Sequence, residues 1–268
     1  MRPDVEFLTQ LTQAPAVLVR VDAARGSVPR EVGAWMAVFA GHVMGTVGGG
    51  HLEWQAIAHA RERLETPSGE VDVVRFALGP TLGQCCGGEV HLRFQNVVAS
   101  DSPWLREQLA PVCVPVAIFG GGHVGHALVQ VLARLPMDII WVDSRDAIFP
   151  AGLPHGVQCE HSAPVEGAVT DLKAGTSVLI MSFSHAEDLE VVAACLRRQR
   201  DRGDLPFVGL IGSKTKWAAF RSRLAQRGFT EAELAHITCP IGVAGITDKR
   251  PEVIAVAVAA QLLQVGTS

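Results

Sequence analysis

Apolar positions follow two different rhythms along this chain. In the first hundred residues, short β-prone runs alternate with turn-rich stretches. Val17 to Val21, Ala34 to Phe39, Val43 to Val47, Val71 to Phe76 and Glu89 to Phe94 read as strands. One helix falls among them, from about Leu52 to Leu64, with Leu52, Ala56, Ala60 and Leu64 on one face and Arg61, Glu62 and Arg63 at its exposed end. Thr66-Pro67-Ser68-Gly69 stops it. A linker is expected over Ala99 to Pro115, with a short helix at Trp104 to Leu109 inside it. Beyond it, strands at Val116 to Phe119, Asp138 to Val142, Ser177 to Ser182 and Phe207 to Ile211 alternate with helices at Val124 to Leu135, Leu189 to Arg200, Lys216 to Gln226 and Glu252 to Gln264. Near-continuous Val/Ile/Leu strands between amphipathic helices indicate a parallel sheet covered on both faces. The expected fold class is α/β: an N-terminal mixed α+β domain over residues 1–108, then a C-terminal Rossmann-like parallel-sheet domain over residues 113–268.

The turn that opens the second domain carries chemistry. Gly120-x-Gly122-x-x-Gly125 follows a strand and starts a helix, and Asp143 ends the next strand eighteen residues after Gly125. In such a fingerprint the first glycine makes the turn, the second admits a pyrophosphate and the third lets helix pack on strand. The helix N-terminus offers N–H groups to an anion, and Asp143 is placed to accept from ribose hydroxyls. Gly120, Gly122, Gly125 and Asp143 are therefore candidate nucleotide-binding residues, with an empty scaffold as the alternative. Ser182 to His185 and Ile211 to Lys214 lie at strand ends where such sheets take ligands, which makes His185 a further candidate against the commoner reading of a solvent-facing loop histidine. His185 and Lys214 are the groups an oxidoreductase would have as general acid or base.

The first domain has its own anion-ready elements. Gly48-Gly49-Gly50 precedes a helix, and Arg25 and Arg30 flank a glycine-containing loop. The same three glycines also serve as a plain tight connection. Gln84-Cys85-Cys86-Gly87-Gly88 is less ordinary, because vicinal cysteines in a glycine-rich turn are poor core material. A thiol there suits a soft metal centre or sulfur nucleophile, whereas the spacing does not suit structural zinc.

Composition narrows the setting. The 268-residue chain is 48% hydrophobic and 19% charged, which fits globular domains. Its net charge of -4 gives no basic footprint, so nucleic acid is not expected as a partner. The longest apolar stretch, Val253 to Val265, is too short to span a bilayer, and the acid-bearing N-terminus does not read as a secretory signal. A cytoplasmic protein off the membrane is expected, its six cysteines free thiols.

Taken in order, Gly26-Ser27-Val28-Pro29-Arg30, Gly45 to Gly50, Leu78-Gly79-Pro80 through Gly88, Phe119 to Gly125, Val142 to Arg145, Gly209 to Lys214 and Cys239-Pro240-Ile241-Gly242 resemble the XdhC/CoxI family over nearly the whole chain. The resemblance implies a chaperone that binds molybdenum cofactor (molybdopterin) as cargo, holds it while a cysteine desulfurase sulfurates it, and inserts it into a molybdenum hydroxylase of xanthine dehydrogenase type. By that carry-over Cys85 is the first choice for the thiol beside the metal and Cys86 the second, with Arg30, Gly48, Gly49 and Gly50 around the cargo. An accessory factor without turnover of its own, and a homo-oligomer, are expected. The rival reading is an NAD(P)-dependent oxidoreductase built on Gly120 to Asp143. A third is a docking subunit with empty glycine turns.

Overall fold

A computed structural model describes residues 3–66, 68–78, 88–154 and 156–265. The chain divides into two compact units, residues 1–110 and 111–268.

In the first unit, α1 (Pro3–Leu11) leads into β1 (Ala16–Arg25), β2 (Trp35–Val38) and β3 (Val43–Gly45). The helix α2 (Gly50–Glu65), then β4 (Asp72–Ala77), β5 (Glu89–Val97) and α3 (Ser102–Leu109) complete it. Among the described residues the sheet order is β3-β2-β1-β5-β4, every pairing antiparallel. Period-two alternation divides the side chains between two faces. Val17, Val19, Val21, Met36, Val38, Leu92 and Phe94 join Leu52, Ala56 and Ala60 of α2 in one core. On the other face Ala16, Leu18, Ala37 and Val97 pack with Phe7, Leu8 and Leu11 of α1 and Leu105 and Leu109 of α3. The stretch expected as linker is thus largely structural. Its helix is pinned by two buried leucines.

The second unit runs β6 (Val114–Phe119), α4 (His123–Leu132), β7 (Met137–Asp143), β8 (Val157–His161), β9 (Ser177–Ile180), α5 (His185–Arg202), β10 (Val208–Leu210), α6 (Lys214–Gln226), α7 (Glu231–Leu234), β11 (Ile237–Thr238) and α8 (Pro251–Val265). Its strands are parallel in the order β11-β10-β9-β6-β7-β8. Numbered within the unit, that is 3-2-1-4-5-6 read from β8, the Rossmann order. The α/β class and the Rossmann-like C-terminal sheet are as the sequence indicates. Alternate residues of β6 face opposite cores: Val116 and Ile118 with α4 and α8, Ala117 and Phe119 with α5 and α6. The order reverses between β6 and β9, and crevices for ligands form at the carboxyl ends of strands at such a reversal.

Candidate functional site

The N-terminal elements meet around the loop from Arg25 to Arg30. The backbone of Arg25 and Ser27 passes so close to Gly88 that a Cβ there would collide with both carbonyl oxygens. Leu78 N–H donates to Gly88 O at 2.8 Å, which closes the base of the segment between them. Cys85 and Cys86 lie in that segment, outside the described residues. On the other side of the loop, Pro29 fills the space a side chain at Gly48 would need, and Gly48 has φ +133. Only glycine meets both demands there. Loop, glycine turn and the residue that follows the cysteine segment are therefore neighbours.

The Gly48 and Gly49 donors of the glycine turn are in use. Glu53, in the first turn of α2, places Oε2 where it accepts from Val47 N–H at 3.1 Å, Gly49 N–H at 3.1 Å and Thr46 Oγ1 at 2.5 Å. Here the chain's own carboxylate takes the place of an external anion at a helix N-terminus. Around it, Gly49 faces open space. Arg30 forms a fork with Glu31, Nε to Oε2 at 3.2 Å and Nη2 to Oε1 at 2.9 Å, and holds that carboxyl down to about 2.

At the second unit's reversal, the three glycines have separate duties. Side chains at Gly120 and Gly125 would collide with the Met181 and Gly120 carbonyl oxygens respectively, whereas a side chain at Gly122 would meet nothing. The first and third are needed for close packing, and the second leaves the face of the turn open. Trp141 Nε1–H donates to Gly120 O at 3.0 Å and fixes the peptide from beneath.

Asp143, 2% exposed, turns inward. It accepts from Gly121 N–H at 2.6 Å and from Arg145 through N, Nε and Nη2, each at 2.9 Å. Burial pushes its carboxyl up, but these hydrogen bonds outweigh burial and leave it below the ordinary aspartate value. A carboxylate already accepting four hydrogen bonds is committed to the turn rather than to a ribose. Arg145 lies over the exposed Phe183 ring at 4.5 Å. His185 is exposed at the start of α5, edge-on to Phe220, and Lys214 is exposed at the start of α6.

A buried ion pair beside them escaped the reading of the sequence. Asp188, 1% exposed, accepts from Lys216 Nζ at 2.6 Å and from Ser182 N–H at 2.8 Å, and Lys216 also donates to Ile211 O at 2.8 Å. The pair ties the ends of β9 and β10 together. It joins residues 28 apart on two helices, a distance no local period marks. Cys239 adjoins it, its thiol pushed up by burial and drawn back in part by Lys216. Among the described residues no cluster of three His, Cys, Asp or Glu side chains is arranged to hold a metal ion. None of their helices is long and apolar enough to cross a membrane.

Comparison with known proteins adds an independent line. Residues 116–262, more than half of the chain, match the XdhC Rossmann domain family, and residues 10–77 match the XdhC and CoxI family. YqeB of Escherichia coli K12, described only as an uncharacterized protein, is 26% identical over 254 residues, covering 94% of this chain. The chain spans 43% of that relative's length. A crystal structure from Bacillus halodurans, described as a xanthine dehydrogenase, superposes with a TM-score of 0.78 over 100% of this chain and 96% of that one, at 19% identity. At that identity the likeness speaks to the fold alone.

Proposed function

The chain belongs to the XdhC and CoxI family, and on that premise we propose that it carries molybdenum cofactor as cargo to a molybdenum hydroxylase. The observation that carries this reading is the convergence on the Arg25–Arg30 loop: it touches Gly48 of the glycine turn and Gly88, two residues after Cys86. A cationic loop and backbone donors thereby come from one neighbourhood, and in the sequence the vicinal cysteines stand just before Gly88, which adjoins it. That donor set fits the cargo's chemistry, since soft thiolates suit a soft metal centre and N–H groups with arginine suit a terminal phosphate.

In this proposal Cys85 is the thiol beside the metal, and Cys86 its alternate. Arg30 supplies charge at the rim while it remains forked to Glu31. Gly49 N–H reaches an external anion when Glu53 swings away, so that carboxylate competes with the cargo and favours its release. A cysteine desulfurase and a hydroxylase of xanthine dehydrogenase type are the partners that such a carrier would serve. A nucleotide at the Gly120–Gly125 turn is a separate proposal. Gly122 leaves room for it, and Asp143 is engaged elsewhere, which weighs against a dehydrogenase that reads ribose through that acid.

The test is retention. The 268-residue chain mixed with molybdenum cofactor is expected to keep it through gel filtration, and Cys85→Ala to release it while folding normally. Equal retention by wild type and variant would remove Cys85 from the site. No retention by wild type would remove the proposal.

A further inference from the structure

The face of the N-terminal sheet that packs against α1 and α3 holds, beside α3, a cavity of about 140 Å³ that the proposed cargo site does not use. Its floor is made by Leu18 and Arg20 of β1 and Arg93 and Gln95 of β5, and its wall by Trp104 and Gln108 of α3. These positions follow from two periods. Residues two apart share a strand face, and residues four apart share a helix face.

Arg20 and Arg93 are direct cross-strand partners. Like charges set opposite each other destabilise a sheet, so the pair needs an anion. The fold supplies one to Arg93. Asp22 accepts from Arg93 Nε at 2.7 Å, and that bond, with weaker help from Arg20, holds its carboxyl below the usual range. One carboxylate therefore faces two guanidinium groups. Arg20 keeps only a long contact to Gln108 Oε1 at 3.4 Å, and among the described residues no carboxylate pairs with it. The rest of its donor fork is free for a ligand beside Trp104 and Gln95.

We infer that this cavity is a binding site for an oxyanion carried on a small molecule, with Arg20 as the anchoring fork. A guanidinium matches the two oxygens of a carboxylate or phosphate, and an indole wall beside a leucine suits a flat or apolar body behind the anion. The 140 Å³ space admits a group about the size of one ring with its charge, and excludes a whole nucleotide.

The experiment is calorimetric titration of the full chain with inorganic phosphate and with benzoate, against chloride at equal ionic strength. Binding of either anion above the chloride control is expected, and Arg20→Gln should weaken it about tenfold or more. Benzoate alone would assign the site to a carboxylate on a flat body. Phosphate alone would assign it to a phosphate ester. Arg20→Gln also removes the like-charge pair, so its melting temperature without ligand is expected to rise while its stabilisation by the anion disappears. Arg20→Lys, which keeps charge and loses the fork, should recover the affinity only in part. Wild-type protein that binds neither anion, or Arg20→Gln that binds as tightly as wild type, overturns the inference.

Discussion

Asp143 shows how one side chain can be committed by its neighbours. Its two oxygens accept from Gly121 and three times from Arg145, so it braces the glycine turn from beneath. Asp143→Asn keeps the shape but loses the charge and half of the acceptors, and should cost about 2 kcal/mol in a urea unfolding midpoint. The pH dependence follows in sign. The folded carboxyl is lowered, so its contribution is complete above the ordinary aspartate value of about 3.9 and fades as pH falls through the folded one. The gap between wild type and variant should be full at neutral pH and begin to close only below about pH 4. Glu53 makes a second case: Glu53→Ala strands two backbone donors and a hydroxyl, and a loss of about 1–2 kcal/mol is expected in the same measurement. Asp143 is legible in the sequence as the end of a strand, whereas Glu53 carries no mark there. The inward direction of neither is legible, because a pattern of residue types places an acid near a turn without saying which partner it faces. The Asp188–Lys216 pair was hidden more fully, since only the β9–β10 neighbourhood brings its helices together.

At the scale of elements, the second and third glycines of the α4 turn, Gly122 and Gly125, make opposite predictions. An alanine inside a helix normally gains up to about 1 kcal/mol over glycine. At Gly125 that gain is outweighed, because the new methyl meets the Gly120 carbonyl and α4 must lift from the sheet, an overpacking that costs about 1–3 kcal/mol. Gly122 has φ -77 and open space, so Gly122→Ala should change stability by no more than about 0.5 kcal/mol. Thermal unfolding of the two variants checks the contrast. A clear drop for Gly122→Ala would show that the turn is packed where the structure leaves it open. Elements with strong periods were legible in advance: the inner strands by their apolar runs, α2, α4, α5 and α6 by their stripes. The missed strands lie at sheet edges. In β8 only Val157 is aliphatic, and β11 has two residues, so neither carries a period to read. The helix α1 carries a short apolar stripe, Phe7, Leu8 and Leu11, too brief a run to set a period by itself.

For the whole molecule, the change of rhythm near residue 110 is the change of architecture. Every strand of the parallel sheet and both cores that cover it come from residues after 111, and every residue of the other two cores comes from before 110. A chain of this length with its own two-sided core is within the range of independently folding domains. Residues 111–268 produced alone should therefore unfold in one cooperative step in urea, with a near-ultraviolet signal from Trp141 and Trp217 lost in the same transition as the helical signal. A fragment with helical signal and no fixed tertiary signal would show that the unit depends on the first one. The same fragment separates the two chemistries. It lacks Cys85, Cys86, the Arg25–Arg30 loop and Gly48 to Gly50, so under the proposed function it should fold and retain no molybdenum cofactor. If the folded fragment does retain it, the cargo site belongs to the Gly120–Gly125 turn, and Gly122→Ala in the fragment should then weaken retention without lowering stability.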